Sequence, residues 1–286
     1  MFERMARGWS LFKQSWQVLR GNTSLVVFPI FSITASLLVL ASFVIPVVVA
    51  VNSGSLGGKT LEEWAKRPEH YALVFTFYFV SCFVTTFFNS AIVACTLHHF
   101  RGERASVAFG LRAAGSRLPQ ILGWSLVSAT VGVLLKLISD KSALAGKVVS
   151  SLLGVVWSVA TYLVLPVLVV EGIGPLRAVK RSGELISRSW GEGLTANLAM
   201  GAVSAVVALG ALLLLGASIG LAVLLQSPAI AAIGFGVMLV ALILATLVTS
   251  TLQVVLNAAV YWFAVTGDAP AGFDPGVLRA AFKPKS

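Results

Sequence analysis

Residues 171–193 read EGIGPLRAVKRSGELISRSWGEG. On a helix beginning at Leu176, the side chains of Leu176, Val179, Gly183, Ile186 and Trp190 share one face, while Arg177, Arg181, Glu184 and Arg188 share the opposite one. Long apolar runs flank the stretch on both sides. A basic amphipathic segment between two membrane-length runs predicts an interfacial helix joining two spans.

The rest of the chain has the same character. It has 286 residues, of which 57% are hydrophobic and only 11% charged, with a mean hydropathy of +0.92. Soluble domains carry about a quarter charged residues. Most of the apolar sequence lies in runs longer than the roughly 18 residues needed to cross a bilayer. Six spans are expected, at about residues 25–51, 71–99, 120–138, 147–170, 194–225 and 229–265. The last is longer than a bilayer requires, so it must tilt, bend or protrude, and Gly234 and Gly236 are the candidate bend points. The first run is too long for the h-region of a signal peptide. The expected fold class is all-α: one polytopic membrane helical bundle over residues 1–286, with cytoplasmic amphipathic interfacial helices.

Of the 21 Lys and Arg residues, fifteen fall in the N-terminal segment, residues 100–118, residues 171–193 and the tail, against six on the other side of the spans. The positive-inside rule then places both termini in the cytoplasm. The net charge of +10 follows from these flanking cations. Because they bracket spans rather than form one patch, nucleic acid is not an expected partner. Cys82 and Cys95 lie on one expected helix, about 20 Å apart, and cannot pair.

A second amphipathic helix opens the chain. Phe2, Met5, Trp9, Phe12, Trp16 and Leu19 recur at spacings of three and four, with Arg4, Arg7, Lys13, Gln17 and Arg20 on the other side. Such helices dip aromatics into the interface and turn cations toward anionic headgroups; the alternative is packing on the protein's own cytoplasmic end. Arg7, Lys13, Arg177, Lys180, Arg181 and Arg188 are the candidate contacts to lipid headgroups or a partner.

The layout suggests three units, residues 1–99, 100–171 and 172–267, each a basic segment followed by two spans, with a short tail at 268–286. Phe12-Lys13-Gln14-Ser15-Trp16-Gln17-Val18-Leu19 aligns with Val179-Lys180-Arg181-Ser182-Gly183-Glu184-Leu185-Ile186. Leu111-Arg112-Ala113-Ala114 is similar to Leu176-Arg177-Ala178-Val179, and Phe88-Asn89-Ser90-Ala91 to Leu256-Asn257-Ala258-Ala259.

Three segments, Trp9–Arg20, Leu165–Ser182 and Asn257–Gly267, resemble an uncharacterised bacterial integral-membrane family, a domain of unknown function. The resemblance covers nearly the whole chain. The E-G-x-G-P-x-x-A-x-K-R-S element is also similar to membrane domains attached to some glycerophosphodiester phosphodiesterases. The resemblance implies a multi-pass protein of the bacterial cytoplasmic membrane with six or so helices. It brings no activity or catalytic residues to transfer.

Within the spans, polar residues form a seam. Thr246, Ser250, Gln253 and Asn257 lie on one face of the sixth span, and Cys82, Thr85, Thr86, Asn89 and Thr96 follow a similar course in the second. Thr161 is a further member, in the fourth. Amides in hydrocarbon need partners, so these faces are expected to point at other helices or at a wet cavity. Gly216 and Gly220 read as a close helix contact. Glu171 stands at a cytoplasmic mouth, as an ion ligand or as the partner of a nearby cation. Cys95, His98 and His99 lack the third or fourth ligand a metal site requires. Catalytic motifs are absent, no cofactor is implied, and no carboxylate lies mid-span. The expectation is therefore a non-enzyme. It is a passive channel or transporter-like protein for a small polar or anionic solute, with the bilayer as partner and a homo-oligomer open. The alternative is a membrane-organising or lipid-interacting scaffold or accessory subunit.

Overall fold

In the computed structural model, the described residues are 2–22, 24–53, 68–140, 145–189 and, with gaps, 209–276. They are helical, without strands, and bear out an all-α bundle. The helices are α1 (Phe2–Gly21), α2 (Ser24–Asn52), α3 (Pro68–Phe100), α4 (Val107–Ser116), α5 (Leu118–Asp140), α6 (Ala145–Ala160), α7 (Val164–Glu171), α8 (Pro175–Ser189) and α9 (Pro228–Thr266). Five stretches are long and apolar enough to cross a membrane: Ser24–Ala50, Tyr71–Phe100, Leu118–Ser139, Gly146–Glu171 and Ala232–Thr266. The remaining expected span, 194–225, lies largely outside the described residues; its part at 215–221 is helical.

Glycines stop the chain where spans end. Gly102, Gly172 and Gly267 have φ of 82°, 64° and 79°, the left-handed region in which a Cβ is disfavoured. They close α3, α7 and α9, the second span of each suggested unit. Gly172 and Gly267 return their N–H groups to Leu168 O and Phe263 O at 3.2 and 2.9 Å.

The fourth span is not one helix. It breaks at residues 161–163. Pro166 explains the position, because it has no N–H for the carbonyl four residues back and its ring crowds that carbonyl. Tyr162 falls back to a tighter bond, donating to Val159 O at 3.2 Å. Leu163, buried at 0% exposure, donates its N–H to Ser182 Oγ of α8 at 3.1 Å.

The chain forms two compact units, Met1–Val26 with Thr96–Arg104 and Ser187–Ser286, and Val27–Cys95 with Ala105–Ile186. In the first, α1 packs on α9. Phe100 meets Trp262 and Phe273 edge-on at 6.1 and 5.9 Å, and Asp274 N–H donates to Gln14 Oε1 at 3.3 Å. In the second, α5 and α6 pair, with Trp124 and Trp157 stacked 5.8 Å apart. Phe43 meets Phe77 at 5.4 Å across α2 and α3. The tight core of this unit gathers Phe28, Ala91, Ile92, Cys95, Gly110 and Ala114 with Ile121 and the α7 residues Leu163, Val164, Val167 and Leu168. Farther along α2 and α6 the side chains open outward: Leu37, Leu38, Leu152 and Val156 are 59–67% exposed. In a bilayer these are lipid-facing surfaces, which need no protein cover.

At Gly110, side chains of α2 and α3 press on the backbone of α4. A Cβ there would lie 2.5 Å from Phe28 Cζ and 2.7 Å from Cys95 Sγ, whereas one at Gly115 would meet open space. Gly110→Ala is therefore expected to lower stability by about 1–3 kcal/mol through overpacking. Gly115→Ala should gain up to about 1 kcal/mol of helix propensity. Thermal unfolding of the two variants in one detergent checks both signs, and equal shifts would contradict this packing.

Candidate functional site

The segment 171–193 opens on a polar knot. Helix α7 ends at Glu171 with its last carbonyls unbonded, as every helix end does. Arg117, the single residue between α4 and α5, caps them. Its Nε donates to Val169 O at 3.0 Å and its Nη2 to Val170 O at 3.4 Å. A cation at a helix C-terminus also meets the favourable end of the backbone dipole. Gln120 Nε2 donates to Gly172 O at 3.0 Å. A Cβ at Gly172 would fall on the Arg117 guanidinium, so this glycine is required both for its φ of 64° and for space.

Pro175 then starts α8 at its first position, where a missing N–H costs nothing. A Cβ at Gly123 of α5 would sit 3.3 Å from Pro175 Cγ, so the two helices run close at this point. The helix is held to the unit at two further levels. Arg181 Nε donates to Glu171 Oε1 at 3.1 Å, and Arg181 also lies 3.8 Å from Glu184. The next residue, Ser182, lies on the buried face of α8 and receives the Leu163 N–H.

This geometry rotates α8 relative to the face read from the sequence. Ala178, Ser182, Leu185 and Ile186 are buried, while Leu176 is 74% exposed beside the exposed Arg177 and Lys180. Helix α1 shows the same offset. Leu11, Ser15, Val18 and Leu19 are buried, whereas Phe12 and Trp16 lie half-buried at the margin. Arg20 lies 5.4 Å from the Trp16 ring centre, and Lys13 is exposed. The buried serines are the pair aligned between the two segments. A small serine permits close approach and supplies a hydrogen bond, so it lies inward although hydropathy ranks it as outward. The side chains of Arg7 and Arg188 fall outside the described residues.

The candidate seam divides between the two units, with Thr85, Asn89 and Thr161 in the second and Ser250, Gln253 and Asn257 in the first. On α3, Thr85 is exposed, Asn89 half-buried, and Thr86 and Thr96 buried. Thr161 donates to Trp157 O at 2.8 Å. On α9, Thr246 and Ser250 are exposed and donate to Leu242 O and Leu247 O of their own helix at 2.8 and 3.1 Å. Gln253 is exposed and Asn257 half-buried. Gln253 and Asn257 both interact within the chain. The buried face of α9 is Leu252, Val255, Leu256, Ala258 and Ala259, because the small and branched residues pack best against its own unit. Hydroxyls that bond back to their own helix carry less demand for a partner.

Glu171 has Arg181 as its ion-pair partner. Cys95 and His98 point to different neighbours: Cys95 Sγ lies 3.6 Å from Ser106 O, and His98 Nε2 lies 3.1 Å from Glu103 Oε2. Among the described residues, no three of His, Cys, Asp and Glu group as metal ligands.

A family of unknown function, DUF6159, matches residues 69–273, which takes in α3 to α9 and the whole knot. The chain belongs to this family. No similar curated protein and no similar solved structure was found. For this DUF6159 chain the match gives no support to a glycerophosphodiesterase link or to a bacterial source.

Arg117, Gln120 and Ser182 carry this site, and the sequence reading singled out none of them as such. Their partners lie 52, 52 and 19 residues away, beyond any local pattern. Ser182→Ala is expected to leave the buried Leu163 N–H unsatisfied and to cost about 1–3 kcal/mol. Ser116→Ala removes only an exposed hydroxyl that bonds back to Ala113 O and should shift stability by no more than about 0.5 kcal/mol. Thermal unfolding of both reads the contrast. Arg117→Lys keeps the charge but loses the planar fork, so a loss of about 1.5–3 kcal/mol is expected. Full stability with lysine would show that charge alone caps α7.

Proposed function

We propose that this protein is a lipid-interacting membrane protein whose anchored amphipathic helices engage anionic headgroups. The carrying observation is the pose of α8. It is tied down by Ser182–Leu163 and Arg181–Glu171, and this fixed pose turns Leu176, Arg177 and Lys180 outward together. A leucine that enters the acyl boundary beside two cations matches the chemistry of a headgroup layer. Helix α1 repeats the arrangement with exposed Lys13 and Arg20 beside the half-buried Trp16. The proposed setting is a bacterial cytoplasmic membrane with both termini inside, as the distribution of cations favours.

The seam supports this reading over passive transport. Within α9, Thr246 and Ser250 are exposed and return their hydroxyls to their own helix, whereas a solute path needs such groups turned to an enclosed lining. A scaffold role, holding anionic lipid around the bundle, follows without any solute pathway.

Juxtamembrane cations are worth about 1 kcal/mol each toward anionic lipid. Arg177→Gln with Lys180→Gln is therefore expected to reduce the preference of spin-labelled phosphatidylglycerol over phosphatidylcholine at the protein by up to about thirtyfold. High salt should weaken the wild-type preference. An unchanged preference in the double variant, with wild-type thermal stability, would overturn the reading.

A further inference from the structure

We infer that α4 is a further headgroup-binding element, in which Arg112 takes the phosphate of an anionic lipid and Phe109 enters the acyl boundary beside it. The inference rests on the headgroup reading and extends it to a helix outside α1 and α8. Depth, the outward face and charge carry it.

Depth comes from what α4 packs on. The helix joins two membrane-length stretches, Tyr71–Phe100 and Leu118–Ser139. The first has 30 residues and is about 45 Å long, against a hydrocarbon core of about 30 Å. With the excess divided between its ends, about 7.5 Å at each end stands among the headgroups. Cys95 is five residues before Phe100, which places it about 7.5 Å from that end. Gly110 of α4 packs on Cys95 and on Phe28. Cys95 Sγ also lies 3.6 Å from the carbonyl of Ser106, the α4 N-cap. These contacts hold α4 at the boundary between headgroups and acyl chains, the depth at which interfacial helices lie.

The outward face is compact. Gly110 and Ala114 are buried, while Ala108, Phe109, Arg112 and Ser116 are exposed and fall within one arc of about 100°. Both ends of the helix are tied. Ser106 Oγ accepts the Phe109 N–H at 3.2 Å, and Arg117, which follows α4, donates to Val169 O of α7 at 3.0 Å. The exposed arc therefore presents an aromatic ring and a guanidinium about one turn apart, an apolar group and a cation for adjoining layers of the membrane.

Charge decides the ligand. From residue 104 to residue 139 the sequence has no Asp or Glu. Glu103, just before this stretch, pairs with His98 at 3.1 Å. Among the described residues Arg112 has no ion-pair partner, whereas Arg117 is occupied by the α7 carbonyls. Arg112 also takes the place of Arg177 in the Leu-Arg-Ala stretch shared by residues 111–113 and 176–178, and both arginines are exposed. A planar guanidinium pairs two N–H groups with two phosphate oxygens. A lipid phosphate brings an acyl chain with it and so meets both the guanidinium and the ring. Free phosphate would engage the guanidinium alone.

Photolabelling of the full chain in vesicles of phosphatidylglycerol and phosphatidylcholine tests this. Each probe is one of these lipids with a diazirine on its acyl chain, and labelled positions are read by mass spectrometry. The phosphatidylglycerol probe is expected to label residues 105–112 several times more than the phosphatidylcholine probe. That ratio should fall about fivefold in Arg112→Gln and stay near the wild-type value in Arg112→Lys. The ratio around Leu176 of α8 should be unchanged in both. Ser116→Glu places a carboxylate on the same arc and should lower the 105–112 ratio by a similar factor, so the test does not hang on the folding of one variant; unfolding temperatures near wild type check both. A preference at α8 with none at α4, an α4 ratio unmoved by Arg112→Gln and Ser116→Glu, or an α4 ratio abolished by inorganic phosphate but not by chloride of equal ionic strength would each overturn this inference and leave the reading of α8 in place. Equal labelling by the two lipids at both helices would overturn the two together.

Discussion

One backbone N–H governs the architecture around α8. Pro166 interrupts the fourth span, and at the break Tyr162 N–H takes the Val159 carbonyl while Leu163 N–H goes outside that helix for its acceptor. In a soluble protein a water could answer that donor. At membrane depth the protein must supply the acceptor itself, and Ser182 does so from α8, nineteen residues later. The consequence runs outward. Once Ser182 is fixed inward, helical geometry fixes Ala178, Leu185 and Ile186 inward with it and turns Leu176, Arg177 and Lys180 out. The exposed chemistry of the segment is thus set by a hydrogen bond buried beneath it.

The knot at the head of α8 completes the same logic. A helix that stops near the edge of a bilayer leaves carbonyls to be answered, and Arg117 and Gln120 answer those of α7 and of Gly172. Gly172 has no side chain because the guanidinium occupies that space. Glu171, at the end of α7, pairs with Arg181 of α8. Each charged group near the knot is therefore tied to a structural partner, except those that α8 turns outward. This separation of tied from outward cations favours recognition of a surface over passage of an ion.

Much of the fold was legible in the sequence, and its failures have a common cause. Apolar runs located the spans because bilayer thickness sets a length that composition reveals directly. Gly172 and Gly267 close their helices because left-handed backbone selects glycine. Hydropathy misassigned the buried faces of α1 and α8 because it ranks residues by transfer to hydrocarbon. Ser15 and Ser182 are inward for proximity and hydrogen bonding, and Ala178 for size. The break at 161–163 had a visible sign in Pro166, but not its remedy. The remedy joins positions that no periodicity connects, as do the bonds of Arg117 and Gln120.

The polar residues of the spans divide by the same physics. A threonine or serine on a helix can return its proton to a carbonyl three or four residues back, as Thr161, Thr246 and Ser250 do. Its polarity is then largely spent inside its own helix, and its exposure to lipid is cheap. Glutamine and asparagine have two donors and two acceptor sites to place, and Gln253 and Asn257 both interact within the chain. A row of mixed hydroxyls and amides is therefore not a uniform polar lining. Its energetic weight lies at Gln253 and Asn257, whose amides at membrane depth must be answered by protein or water rather than by acyl chains.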